Sequence, residues 1–179
     1  MSSPVSVQLL GQPLLRIVID TAPTSPSLFT HTKTTYRPMY NAARKRTGLP
    51  PLPTTVDADV LLYSPAGEIM ETSIRNVAVL RRTPAQWITP REDVGCLPGV
   101  MRRWLLEQHQ VVEAEEGELV KDDLQEGELV LTFNGVEGCR LGRISLSVPT
   151  TCATSTQTIS LLPWVQVQSL RAHRRLMPY

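Results

Sequence analysis

Neither sign of charge is in excess in this chain of 179 residues. Its 18 Lys and Arg stand against 17 Asp and Glu, a net charge of +1. A nucleic-acid surface needs a clustered basic field, so that class of partner is not expected. The one local basic cluster, Arg171, His173, Arg174 and Arg175, reads as a solvated helix end, where cations suit the dipole. Cysteine is scarce as well. Cys96, Cys139 and Cys152 are odd in number and lack CxxC spacing, which argues against a disulfide framework and a zinc site. Reduced thiols in a cytoplasmic protein are the simpler expectation. The three histidines are too scattered to suggest a metal cluster. No run approaches the roughly 20 apolar residues of a membrane span. The start, Met1-Ser2-Ser3-Pro4-Val5, lacks the basic and apolar regions of a signal peptide.

The chain is long enough for one well-buried domain, with or without a tail. Its 41% apolar and 20% charged residues are ordinary for a globular protein. Leu14 to Asp20 reads as a strand rich in β-branched residues, followed by a Pro-containing loop from Thr21 to Ser27. Thr34 to Arg46 reads as a helix with Pro38 near its first turn and Tyr40, Ala43 and Arg44 on helical spacing. Ala58 to Tyr63 is an apolar run, and Ser64-Pro65-Ala66-Gly67 a turn. Ile69 to Leu80, Ala85 to Ile88 and Val111 to Glu115 are strand candidates. So are Glu128 to Phe133 and Arg140 to Val148, with Asn134-Gly135 between them. Gly99 to His109 reads as a helix with Val100, Trp104 and Leu105 on its buried side, and Lys121 to Leu124 as a short helical turn. A polar stretch from Thr150 to Thr158 leads to an amphipathic helix over Ile159 to Leu176. The fold class is α+β.

Three blocks carry the chemistry. The first is Thr30-His31-Thr32-Lys33-Thr34-Thr35-Tyr36-Arg37, continuing to Tyr40, Ala43 and Arg44. The second is Gly67-Glu68-Ile69-Met70-Glu71-Thr72-Ser73-Ile74-Arg75-Asn76. The third runs from Thr89-Pro90 through Gly95 to Leu97-Pro98-Gly99-Val100-Met101-Arg102. In order and spacing they resemble the fold-type IV pyridoxal-phosphate enzymes, a family of branched-chain and D-amino-acid aminotransferases and aminodeoxychorismate lyases. The third block resembles the family pattern TP-x-x-x-x-G-x-L-x-G-[IV]-x-R, and the first is closest to the fungal lyases.

The resemblance implies a cofactor, pyridoxal 5'-phosphate, and a site of Lys33, Arg37, Glu71, Asn76, Gly99, Val100, Met101 and Asn134. Lys33 is the implied catalytic residue: its amine attacks the cofactor aldehyde and later carries a proton. Both tasks need a neutral amine, which asks for burial or a neighbouring cation. Arg37 is such a cation, or holds the oxygen side of the cofactor ring, or is a helix-surface charge. Glu71 is implied to pair with the cofactor's pyridine nitrogen, keeping it protonated, whereas Glu68, at the turn tip, is expected to be solvated. Asn76 is expected to support the backbone. Arg75 is either a contact to an acidic substrate or a departure that crowds the site. Gly99 permits close backbone approach, and the free N–H groups of Val100 and Met101 suit a phosphate at a helix start. Methionine at 101 leans towards the lyases. Asn134 is either a second phosphate-side contact or part of a hairpin signal.

The matched blocks lie in the family's large C-terminal domain. Residues 31–179 are accordingly expected to form the cofactor-binding domain with a C-terminal helix, and 1–30 an N-terminal strand and linker remnant. The family's small domain is not seen before Lys33. Three functions stay open: a lyase giving 4-aminobenzoate and pyruvate for folate biosynthesis, an aminotransferase for branched-chain or D-amino acids, and a truncated, incompetent member. A small amino substrate and a homodimer are the expected partners, with no nucleic acid or membrane.

Overall fold

Aliphatic and β-branched runs become strands here wherever a turn signal bounds them. The computed structural model describes residues 12–54 and 56–146. Its strands are β1 (Leu15–Ile19), β2 (Ala58–Tyr63), β3 (Ile69–Thr72), β4 (Asn76–Arg82), β5 (Ala85–Thr89), β6 (Val112–Glu113), β7 (Leu129–Asn134) and β8 (Gly138–Ser145). They form one eight-stranded sheet in the order β3-β2-β1-β8-β7-β4-β5-β6. β1 lies mid-sheet, parallel to β2 (Val18 opposite Val60) and to β8 (Val18 opposite Ser145). β2–β3, β4–β5, β4–β7 and β7–β8 are antiparallel. This mixed sheet with few helices is the α+β architecture that the residue pattern implies.

The helices are α1 (Leu28–His31), α2 (Pro38–Arg46) and α3 (Val100–Glu107). α2 begins later than Thr34 because Pro38 is its first residue and disfavours helical backbone just before it. α1 directly follows the Thr21–Ser27 loop, over residues to which the sequence pattern assigns no element. Ser27 and Thr30 form a capping box, with Ser27 N–H donating to Thr30 Oγ1 (3.1 Å) and Phe29 N–H to Ser27 Oγ (3.3 Å).

Period-two alternation divides the core. Leu61 joins Ile17, Val79, Val130 and Ile144 in one cluster. Its neighbours Val60 and Leu62 pack with Tyr40 and Ala43 of α2. Ala78, Leu131 and Phe133 pack with Leu105 of α3. The stripe expected on α3 is corrected: Leu105 is buried, but Val100 is 77% exposed and Trp104 38%. Arg102 turns inward instead, since its guanidinium reaches the Pro90 carbonyl (2.7 Å) and Glu113 (2.5 Å). The run Ile69 to Leu80 is also broken. The Thr72 N–H and hydroxyl both donate to the Arg75 carbonyl (2.8 and 2.9 Å), turning the chain at Ser73–Arg75 between β3 and β4. No helix among the described residues is long and apolar enough to cross a membrane. The loop at 150–158, the helix at 159–176, the basic cluster and Cys152 lie outside the described residues.

Beneath the Ser73–Arg75 turn sits a buried charge cluster. Asp59 is fully buried and accepts from Ser73 Oγ (2.5 Å) and its neighbour's Val60 N–H (2.8 Å). Arg44 and Arg75 lie 3.4 and 3.3 Å from its two oxygens. Removing one member of such a cluster leaves the others uncompensated away from water. Asp59→Ala is expected to lower stability by about 3–5 kcal/mol, read as the urea midpoint. Lys121→Ala, which removes a surface pair with Asp122, leaves the midpoint in place.

Candidate active site

The Leu97-Pro98-Gly99 turn, between β5 and α3, joins most of the residues of interest. Leu97 N–H donates to Glu71 Oε2 at 3.1 Å. The Leu97 carbonyl accepts from Asn76 Nδ2 at 2.7 Å. Both backbone groups of Leu97 are therefore held from the two ends of the Ser73–Arg75 turn. A Cβ on residue 99 would lie 2.4 Å from Asn76 Oδ1, so only glycine lets the turn close on Asn76. Asn76 thus supports the local backbone, as expected. Gly99 is the N-cap of α3, in extended backbone with no side-chain cap. The first-turn N–H groups, including those of Val100 and Met101, have no intrahelical acceptor and carry the positive end of the helix dipole.

Glu71 is 4% exposed. Its second oxygen, Oε1, accepts from the Tyr40 hydroxyl at 2.7 Å. Burial pushes the carboxyl up to about 7, against the pull of the Tyr40 hydrogen bond, the Leu97 N–H and the Arg37 charge. The Tyr40 hydroxyl is pushed far above its ordinary range, first by burial and then by Glu71, so it keeps its proton and donates. Arg37, at the start of α2, lies over the Tyr40 ring at 4.5 Å and donates to the Ser73 carbonyl. Its Nε is buried without a hydrogen-bond partner. Arg37 is thus engaged by the Ser73 carbonyl and the Tyr40 ring.

The other candidates stand apart from this cluster. Lys33 is exposed on the loop between α1 and α2, and no hydrogen bond or ion pair joins it to Glu71 or Gly99. The burial expected for its amine is absent; beside it the Phe29 and Tyr36 rings meet tilted at 46° with centroids 4.4 Å apart, and Tyr36 N–H donates to Thr34 Oγ1 at 3.0 Å. Asn134 turns its side chain inward. Its Oδ1 accepts from Val136 and Glu137 N–H (2.9 and 2.7 Å), and its Nδ2 donates to the Ile74 carbonyl (3.4 Å) and Glu137 (3.2 Å). The side chain therefore builds the β7–β8 turn. Arg75 is buried between Asp59 and Glu137. Glu68 is not simply solvated: Gly117 N–H donates to it at 3.1 Å and Arg91 lies 3.4 Å away. A cleft of about 210 Å³ opens beside Ile74 and Arg75, but Lys33, Glu71 and Gly99 do not line it.

Tyr40 and Leu97 are the partners that sequence reasoning missed. A tyrosine on the buried face of a helix needs a hydrogen-bond partner, and that was the available signal.

The raised Glu71 carboxyl has a stability consequence. Between its ordinary value of about 4.5 and about 7, the folded protein holds a proton that the unfolded chain has released. Glu71 therefore favours the folded state fully at low pH, and that contribution is lost as pH rises towards 7. Relative to Glu71→Gln, the parent is expected to lose up to about 3 kcal/mol between pH 4.5 and 7.5 and nothing further above it. Urea midpoints of both proteins across that range check the difference; parallel curves would contradict it.

The chain matches the family model for amino-transferase class IV over residues 4–142. It is 37% identical over 139 residues to an aminodeoxychorismate lyase of Saccharomyces cerevisiae, an alignment covering 72% of this chain and 36% of that protein. It is 38% identical over 134 residues to a candidate aminodeoxychorismate lyase of Schizosaccharomyces pombe, covering 73% of this chain and 55% of that one. The chain thus spans well under two thirds of either relative. Among solved structures, a candidate amino-acid aminotransferase of Mesorhizobium loti superposes with a TM-score of 0.62 at 28% identity, over 74% of this chain and 60% of that one. The branched-chain aminotransferase of Escherichia coli shares the fold at 14% identity, with a TM-score of 0.53 over 73% and 44%. With its three motif blocks in order and the match running from residue 4 to 142, the chain belongs to the amino-transferase class IV family.

Proposed function

We propose that the chain is the cofactor-holding part of a pyridoxal-phosphate lyase that converts 4-amino-4-deoxychorismate to 4-aminobenzoate and pyruvate, a step towards folate. The observation that carries this reading is the 37% identity to the yeast lyase over 139 residues. The local structure fits the cofactor. The helix start at Gly99 is uncapped, Glu71 is a buried carboxylate, and the Nε of Arg37 is buried without a partner. Met101, where many aminotransferases have threonine, agrees with the lyase branch. A cytoplasmic homodimer acting on a small amino substrate, with no nucleic-acid or membrane partner, belongs to the same reading.

Pyridoxal phosphate, when bound, supplies an electron sink for negative charge developing on the substrate carbon that bears the amine. The backbone N–H groups of Val100 and Met101 would hold its phosphate, and the turn at Asn134 would flank it. Glu71 would hold a proton at the ring nitrogen, with Arg37 as the nearby cation. The Lys33 amine would bind the aldehyde carbon and, once displaced by substrate, take the proton from the amine-bearing carbon. With that proton taken by Lys33, the C–O bond to the enolpyruvyl group on the neighbouring ring carbon would break. The departing enol gains a proton to become pyruvate, and the ring becomes aromatic.

Amino transfer is the second reading, favoured by the 28% identity to the Mesorhizobium loti protein. It uses the same lysine and carboxylate but returns the proton to the cofactor side and needs a keto-acid acceptor.

The decisive test is the visible absorption spectrum of the folded chain with added pyridoxal phosphate, beside Lys33→Ala. A band in the parent that is missing in the variant is the expected result. Its absence from both proteins, with native circular dichroism, would overturn the reading. Pyruvate and 4-aminobenzoate formed without an acceptor then support the lyase; acceptor-dependent transfer supports the aminotransferase. Lys33→Ala is expected to lower either rate by at least about a thousandfold.

A further inference from the structure

Two elements distant in sequence meet at one carboxylate. Tyr40 lies on α2, the helix that follows the Lys33 loop, and Glu71 on β3, 31 residues later. The Tyr40 ring is 6% exposed, and its hydroxyl donates to Glu71 Oε1 at 2.7 Å. The opposite oxygen of Glu71 is held by Leu97 N–H at 3.1 Å, next to the start of α3. One donor on each oxygen fixes both the position and the plane of the carboxylate. A buried donor–acceptor pair of this kind is costly to break, because either partner alone is left unsatisfied.

We propose that Tyr40 is a positioning residue whose hydroxyl sets the orientation and charge of Glu71, and through it the protonation of the cofactor's ring nitrogen. This rests on the cofactor reading given above. Tyr40 would touch neither substrate nor cofactor; it acts through Glu71 alone.

The physical case is a competition. Burial favours neutral Glu71, and a hydrogen bond from a phenol favours the anion. A neutral carboxylic acid does not form an ion pair with a protonated ring nitrogen, so the balance decides what the site can do. The charged and titratable groups facing Glu71 come from several elements. Arg37, at the start of α2, favours the anion; Asp59 of β2 disfavours it. The buried Cys96 thiol, beside Leu97, is itself pushed up to about 12 by burial and stays neutral. Tyr40 is the neighbour whose contribution one oxygen atom can remove, since phenylalanine keeps the ring, the contact with Arg37 and the packing against Val60 and Leu62.

The test is a titration of Glu71 in the protein without cofactor, followed by carbon-13 NMR of labelled glutamate and assigned with Glu71→Gln. Tyr40→Phe is expected to move the midpoint upward by about one pH unit or more. Difluorotyrosine at position 40, a stronger donor, is expected to move it downward. With pyridoxal phosphate added, Tyr40→Phe is expected to shift the pH profile of the Lys33-dependent absorption band without abolishing it at saturating cofactor. An unmoved midpoint in Tyr40→Phe with native circular dichroism overturns the proposal. Should that variant not fold, an unmoved midpoint in the difluorotyrosine protein overturns it equally. A midpoint that moves in a protein that never gains a Lys33-dependent band overturns the cofactor reading instead, and with it the ring nitrogen as the target.

Discussion

The two hydrogen bonds on Leu97 hold the candidate site together. Its N–H is taken by Glu71 and its carbonyl by Asn76, residues on either side of the turn that ends β3 and begins β4. Leu97 lies just before Gly99, where α3 starts. Among the described residues, nothing else links the carboxylate so directly to the uncapped helix start. Backbone groups are obligatory donors and acceptors: the Leu97 N–H relies on Glu71, while its carbonyl is shared by Asn76 and the Gly99 N–H (2.8 Å). The glycine requirement at 99 follows from the same joint, since a Cβ there would strike Asn76. The buried carboxylate and the uncapped helix start are thereby spaced by covalent chain and two hydrogen bonds.

The charge cluster at Asp59 does comparable work one layer below. Ser73 sits in the turn and gives its hydroxyl to Asp59, while its carbonyl receives Arg37. Arg44 donates to Ser73 Oγ at 3.0 Å and to the Pro50 carbonyl at 2.8 Å. Arg75 continues the chain of contacts to Glu137 and so to the Asn134 turn. Buried ion clusters add little net stability, because desolvation offsets attraction, but they penalise alternatives that separate the charges. Here the penalised alternatives are those in which the β3–β4 and β7–β8 turns drift apart. Through Asp59 and Glu137, Arg75 fastens two turns.

Much of this was legible in residue order. β1 and β2 could be read from short aliphatic runs bounded by Pro and Gly, and α2 from Tyr40, Ala43 and Arg44 on one helical stripe with Pro38 at its head. The turn at Leu97-Pro98-Gly99 was legible from the resemblance of the whole Thr89 to Arg102 block, since a Pro-Gly helix entry by itself is ordinary. The inward face of α3 was not. Periodicity says which residues share a stripe, but Arg102 wins the buried position through partners on two other segments. The partners of Glu71 and Asp59 escaped for the same reason: links across 14 to 31 residues leave no mark in local pattern. Burial of Lys33 was inferred from what its chemistry needs, and chemistry does not dictate how a loop between α1 and α2 is covered.

The value near 7 for Glu71 is best understood as a balance between opposed requirements. A carboxylate solvated in water would be anionic across the physiological range, but water would screen its attraction for a cationic nitrogen. Burial removes the screen and in the same act penalises the charge. Left to burial alone, the group would be a neutral acid, unable to act as a counter-ion. Donors on both oxygens and the Arg37 cation offset part of that penalty without readmitting water, leaving the group near 7. Each donor has to be fixed by the fold, because a mobile one would lose its alignment to thermal motion. Tyr40 is anchored in the α2 core, and Leu97 is backbone. The carboxylate is consequently poised where a further positive charge arriving beside it would tip it fully to the anion, which is the behaviour a counter-ion to a protonated ring requires.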